Sequence, residues 1–185
     1  MEREFLIHHT WPIQNTENIH PESHLSYQRT LSDEHIQQTH ALMAPSFVSQ
    51  GGDIRDIDIS ELTDIARNKG ELWTASDNQI VCAACTLLPI TGSITRWEYL
   101  NHGIVAPQER HKGGRIMETL LRSCLKQPRN IQAYFTISTA QSIFTRLGFI
   151  DTDITSLACI DKTIAEITNQ KLRPGTNASI FIKIV

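Results

Sequence analysis

The sequence predicts a mixed α/β domain, one sheet with helices on both faces, and three observations carry that expectation. Period-two runs such as "ELWTASD" and "IQAYFTI" interleave with period-3.6 stripes such as Ile116, Met117, Leu120, Leu121 and Cys124. The run from Ile80 to Cys85 is continuously apolar, as in a strand covered on both faces. The chain has 185 residues, 40% of them apolar, enough for one domain with a substantial core.

Residues 1–24 read as an irregular extension, because Pro12 and Pro21 interrupt polar filler without periodicity, and residues 25–185 read as the domain. "HLSYQRTL" forms a first strand. "SDEHIQQTHALM" follows as a helix with Ser32 or Asp33 at its cap and Ile36, His40 and Met43 three to four apart. Pro45 and the Gly51-Gly52 pair make "APSFVSQGGDIRDID" a loop, and "DISELTDIARNKG" is a second helix with Asp58 and Glu61 at capping-box spacing and Gly70 as its stop. "ELWTASDNQIVCAACTLLPI" then reads as two strands around an Asp77-Asn78 turn.

"SITRWEYLNHGIV" is the third strand of this group, and Gly103 near its end marks a bulge or a close ligand approach. The helix after it keeps Glu118 and Arg122 paired on its outer side and ends before Pro128. "IQAYFTI" is a strand, and "STAQSIFTRLGF" a helix capped by Ser138 or Thr139 and stopped by Gly148. A strand within "FIDTDITSLACI", a single helix in "DKTIAEITNQK", a Pro174-Gly175 turn and a closing strand "ASIFIKIV" complete the chain. That last strand is expected at an edge, where it offers pairing across a homodimer.

Composition excludes several function classes. Seventeen Lys plus Arg against twenty Asp plus Glu give a net charge of −3, too little field to capture nucleic acid or an anionic membrane. No window approaches the ~18 uninterrupted apolar residues of a membrane helix. "MEREFLIHHTWP" lacks the apolar core of a signal peptide, so a cytoplasmic location is expected. Cys82 and Cys85 form a C-x-x-C inside a strand, where residues three apart point to opposite faces, and the eight histidines show no ligand grouping. No metal site is expected.

The chemistry concentrates in "VAPQERHKGGRIMETLL". Arg110, His111, Lys112 and Arg115 surround Gly113-Gly114 where a helix begins. Unpaired amides and the positive end of the helix dipole make such a start an anion cradle. A Walker loop is excluded, since no Gly-Lys-Ser/Thr follows.

The segment "IVAPQERHKGGRIMETLL" resembles the acyl-CoA-binding motif of the GCN5-related N-acetyltransferase (GNAT) superfamily, and "STAQSIFTRLGF" is similar to that superfamily's next motif. The resemblance implies the acyl-CoA N-acyltransferase fold, a mainly antiparallel sheet of about six to seven strands. It also implies acetyl-CoA or another acyl-CoA as co-substrate and a primary amine, on a small molecule or a protein, as acceptor. By the motif, Arg110, His111, Lys112, Gly113, Gly114, Arg115 and Ile116 hold the diphosphate, while Ile104 and Val105 supply the backbone amide that polarises the thioester carbonyl. Arg115 stands where the motif carries Gly or Ala.

Two further departures bear on catalysis. Tyr99 stands where many relatives have a glutamate base, which leaves His102 and Glu98 as candidates. Phe144 stands where a tyrosine protonates the leaving thiolate, beside the cofactor. An acyltransferase is therefore expected, with a non-catalytic acyl-CoA-binding module as the alternative. Asp53, Asp56, Asp58, Glu61 and Asp64 make the region between the first two helices acidic, which suits a cationic acceptor.

Overall fold

In a computed structural model, residues 24–49, 58–93, 95–112, 114–172, 175 and 177–185 are described. Residues 1–23 of the expected extension and the acidic residues Asp53 and Asp56 lie outside them. The strands are β1 (Ser26–Arg29), β2 (Glu71–Asp77), β3 (Ile80–Pro89), β4 (Trp97–Val105), β5 (Ala133–Ser138), β6 (Ile150–Thr152) and β7 (Ser179–Ile184). The helices are α1 (Asp33–Ser49), α2 (Ile59–Asp64), α3 (Arg115–Leu125), α4 (Gln141–Arg146), α5 (Ile154–Ile160) and α6 (Lys162–Lys171).

The seven strands form one sheet in the order β1-β2-β3-β4-β5-β7-β6. Every neighbouring pair is antiparallel except β4 and β5. Alternation along the strands divides the core. Trp73, Leu100, Tyr134 and Phe181 face α3 and α4, whose Ile116, Leu120 and Phe144 complete one cluster. On the other face Leu72, Val81 and Ala84 pack beneath Ile36 of α1 and Leu62 of α2, and Trp97, Phe135 and Ile182 pack beneath Leu157 of α5 and Ile164 of α6.

Local chemistry explains most boundaries. Asp58 caps α2 by accepting from the Ser60 amide at 3.0 Å, Asp153 caps α5 through the Ser156 amide at 2.8 Å, and Asp161 caps α6 through the Thr163 amide at 3.0 Å. Asn78 and Gln79, at φ 46° and 73°, form the two-residue turn between β2 and β3, one position later than Asp77-Asn78. The turn Ile65–Lys69 after α2 is widened, and the Gly70 amide donates to the Ile65 carbonyl at 2.9 Å. A Cβ on Gly70 would stand 2.1 Å from the Leu87 carbonyl oxygen, so only glycine lets that turn rest on β3.

Several expectations are corrected. Helix α1 runs through Pro45 to Ser49, where a loop was expected. The tail after β6 holds two helices, because Asp161 ends α5 and caps α6. Strand β7 is no edge: it pairs with β5 on one side and β6 on the other, which removes the basis for edge-to-edge dimerisation through it. Cys82 and Cys85 do not point to opposite faces. A bulge places Cys82 as an extra residue between the pairs Ser76–Val81 and Ala75–Ala83, and both thiols sit in the cluster beneath α3.

Glu118 is also not on an outer face. It is 3% exposed, and its carboxylate accepts from Arg122 at 2.8 Å and from Arg146 of α4 at 2.7 Å. Burial opposes its ionisation, but the hydrogen bonds and charges of the two arginines prevail and hold the carboxyl below the usual range. A lowered folded pKa contributes stability above the unfolded value of about 4.3 and loses it as pH falls through the folded value. Glu118→Gln should therefore flatten the acid limb of the stability curve below about pH 4.5 and, with the arginines partly solvated, cost about 2 kcal/mol at pH 7. Urea unfolding across that range measures both.

Candidate active site

The site begins where β4 and β5 part. Ladder pairing between them is confined to Trp97–Tyr99 against Ala133–Phe135 among the described residues. At the next position the link is a side chain: the Thr136 hydroxyl donates to the Leu100 carbonyl at 2.8 Å. Beyond it β4 stays with β3 through Val105, and β5 stays with β7 through Ser138. The two strands thus open a wedge in the middle of the sheet.

A bulge in β4 widens the wedge. Thr86 pairs with Asn101 and Ala84 with Ile104, so three steps of β4 match two of β3, and the extra residue falls at His102-Gly103. The Thr86 hydroxyl donates to the Asn101 carbonyl at 3.1 Å and holds the near side of the bulge. A cavity of about 250 Å³ fills the wedge beneath α3 and α4. Its partly exposed mouth carries Asn101, Val105, Gly114, Ser138, Ala140 and Ile143. Its inner end is formed by the buried residues Cys85, Leu100, Met117, Leu121, Thr136 and Phe144.

Helix α3 points its N-terminus at the mouth. Gly114 caps it in the left-handed conformation at φ 77°, and its carbonyl accepts the Glu118 amide at 2.9 Å. The first-turn amides that follow have no intrahelical acceptor. A 3₁₀ segment, Pro107–Lys112, leads from β4 to this cap.

The structure divides the expected site residues. Val105, Gly114 and Phe144 border the cavity together. Ile104 turns to the opposite face and packs beside the α1 and α2 cluster, and the Ile116 side chain is core, leaving only their backbones for a ligand. Arg115 is exposed at the first helical position. The backbones of Arg110, His111 and Lys112 lie in the 3₁₀ segment and that of His102 in the bulge, their side chains falling outside the described residues, as does the whole of Gly113.

Glu98 lies two residues before Leu100 and outside the cavity wall. It is held by Arg129, whose Nε stands 3.5 Å from its carboxylate and whose other nitrogens donate to Glu71 and to the Cys124 carbonyl. Burial raises the Glu98 carboxyl, against the pull of Arg129. Sequence reasoning did not single out Cys85, Leu100, Thr136 or Ser138 as lining. Of the four, only Ser138 ends a strand just before a covering helix; Cys85, Leu100 and Thr136 lie inside β3, β4 and β5, where no local signal marks them.

A cavity between parting strands, overlooked by a helix N-terminus, is the candidate site of this α/β domain. Solved structures specify it further: the fold is that of the GNAT acetyltransferases. The chain matches an acetyltransferase of the GNAT family from Staphylococcus aureus with a TM-score of 0.56 at 15% identity, over 86% of this chain and 98% of that one. It matches spermidine N-acetyltransferase from Vibrio cholerae, solved with CoA and spermine, with a TM-score of 0.58 at 14% identity, over 88% and 96%. It matches N-acetylglutamate synthase from Neisseria gonorrhoeae, solved with coenzyme A and N-acetyl-glutamate, with a TM-score of 0.59 at 17% identity, over 86% of this chain and 35% of that one. No family model and no curated protein matches the sequence.

Gly114→Ala tests the helix start. A Cβ there would meet Ile143 Cδ1 at 2.9 Å, and the left-handed backbone adds about 1–2 kcal/mol of strain. Thermal unfolding should show a loss of that order, accompanied by weaker binding of any anion held at the α3 N-terminus.

Proposed function

We propose that the chain is an acyl-CoA-dependent N-acyltransferase that transfers an acyl group from the thioester to a primary amine in a ternary complex. The observation that carries this reading is the wedge itself, an apolar-ended cavity between β4 and β5 entered past the N-terminus of α3. The donor diphosphate sits on the α3 first-turn amides, with Arg110, His111, Lys112, Gly113 and Arg115 around it. The pantetheine arm enters between the strands, and a backbone amide at Ile104 or Val105 polarises the thioester carbonyl, a contribution of a few kcal/mol to the transition state. The four free cysteines suit a cytoplasmic setting, and no described helix is long and apolar enough to cross a membrane.

We assign the base to His102. It occupies the bulge between the lining residues Asn101 and Gly103, and a neutral imidazole is a residue type suited to general-base help. Glu98 is committed to Arg129, so its replacement acts first on that ion pair and on stability.

A second reading, a binding module without turnover, is favoured by Phe144. Its ring stacks on Phe181 at 5.5 Å and meets Phe149 edge-on at 5.3 Å, so the cavity wall offers no hydroxyl there to the leaving thiolate. Release of CoA thiol from an acyl-CoA over a panel of polyamines, amino acids and peptides, beside calorimetric binding of CoA, separates the two. Turnover on any amine supports the enzyme, and tight binding with none supports the module. For the enzyme, His102→Gln should lower kcat about 10²-fold or more, read from steady-state turnover of any accepted amine.

A further inference from the structure

The cavity wall carries two hydroxyl side chains, Thr136 and Ser138, which share one face of β5. Their protons are placed differently. Thr136 donates to the Leu100 carbonyl at 2.8 Å, and a hydroxyl has a single proton to give. Ser138 instead accepts the Ala140 amide at 3.0 Å, and among the described residues no group accepts its proton. That bond fixes the Ser138 oxygen in the wall and leaves its O–H free to turn into the cavity.

Strand register places this hydroxyl. The β4–β5 ladder pairs Trp97 with Ala133, Glu98 with Tyr134 and Tyr99 with Phe135, and the bond from Thr136 to Leu100 continues it by one step. Carried on at the same offset, Ser138 stands level with the bulge at His102-Gly103, across the opened wedge. Gly103 and Val105 of β4 line the cavity with it. In the transfer proposed above, the thioester oxygen points to an amide at Ile104 or Val105 on the β4 side. The sulfur and the acyl group on the same carbon then point away from β4, toward β5. Phe144, the aromatic side chain of the wall, has no hydrogen-bond donor to offer that sulfur.

We infer that the Ser138 hydroxyl is the hydrogen-bond donor to the departing sulfur. The inference rests on the acyl-CoA reading above and deepens it. In the transfer the amine nitrogen bonds to the acyl carbon, the carbon–sulfur bond breaks with its electron pair on sulfur, and the amine proton goes to the base. Ser138 keeps its own proton, because an alkyl hydroxyl is a much weaker acid than a thiol. It shares that proton in a charge-assisted hydrogen bond that strengthens as negative charge collects on sulfur. The Ala140 amide, donating to the same oxygen, makes the O–H a better donor.

The acidity of the CoA thiol while bound to the intact protein tests it, with or without turnover. Titration of the thiolate absorbance of bound CoA should show the thiol pKa rising by about one unit in Ser138→Ala, the effect of losing a hydrogen bond to a charged group. Ser138→Thr should restore it. Affinity for desulfo-CoA, which lacks the sulfur, should be the same for all three proteins. Should Ser138→Ala fold poorly, Ser138→Thr and Ser138→Val, which differ by one hydroxyl, give the same comparison. A bound thiol equally acidic with and without the hydroxyl overturns the assignment and leaves the CoA site standing. An equal loss of affinity for CoA and desulfo-CoA shows Ser138 acting only through the shape of the wall and also overturns it. Absence of CoA binding to the wild type removes the parent reading and this one together.

Discussion

The hydrogen bond from Thr136 to the Leu100 carbonyl marks the place on which the site depends. A sheet gains stability by pairing every interior strand edge, and this one stops doing so after three ladder positions between β4 and β5. The cost is contained because each strand keeps its other partner, β3 for β4 and β7 for β5. The inner edges that remain are backbone donors and acceptors inside a sheltered wedge, where an amide-bearing ligand can pair with them. Thr136 makes the transition abrupt by substituting a side-chain bond for the next backbone bond, and the bulge at His102-Gly103 turns β4 further away.

Keeping the wedge open requires its roof to be fixed, and two buried charge clusters do that. Glu118 draws Arg122 of its own helix and Arg146 of α4 onto one carboxylate, tying together the two helices that cover the cavity. At the other end of α3, Arg129 joins the Cys124 carbonyl to Glu71 of β2 and Glu98 of β4, anchoring the helix terminus to the sheet. Both clusters lie off the cavity wall, so their charge is spent on position and leaves the inner end apolar. Removing one member of either cluster leaves a largely buried partner short of its counter-charge, which is costly.

Legibility in the sequence followed the range of the interaction. The helix stripe of α3, the turn at Asn78, the cap at Asp58 and the bulge at Gly103 were readable because each is decided within a few residues. What was misread depends on partners distant in the chain. Glu118 looks like one half of an exposed helix pair until Arg146 arrives from α4. Strand β7, last in sequence, inserts between β5 and β6. A bulge in β3 cancels the alternation that would separate Cys82 from Cys85. Val105, Gly114 and Phe144 of the motif border the cavity, but its inner wall is assembled from five elements, and no single window of sequence displays it.

Under the proposed acyl transfer, the same wall bears on which proton movement matters more. An acceptor amine with a pKa near 10.4 must shed its proton to attack, which at pH 7 costs about 4.6 kcal/mol, whereas a thiol near 8.5 leaves as thiolate at a cost of only about 2 kcal/mol relative to protonation. In the proposed transfer the larger burden falls on the base side, assigned to His102 in the bulge between two lining residues. On the acid side a phenylalanine is tolerable, and the apolar surface that Phe144 contributes becomes available for binding. In the proposed transfer, Phe144 exchanges a weakly needed proton donor for buried apolar area, and such burial gains free energy in proportion to the area removed from water.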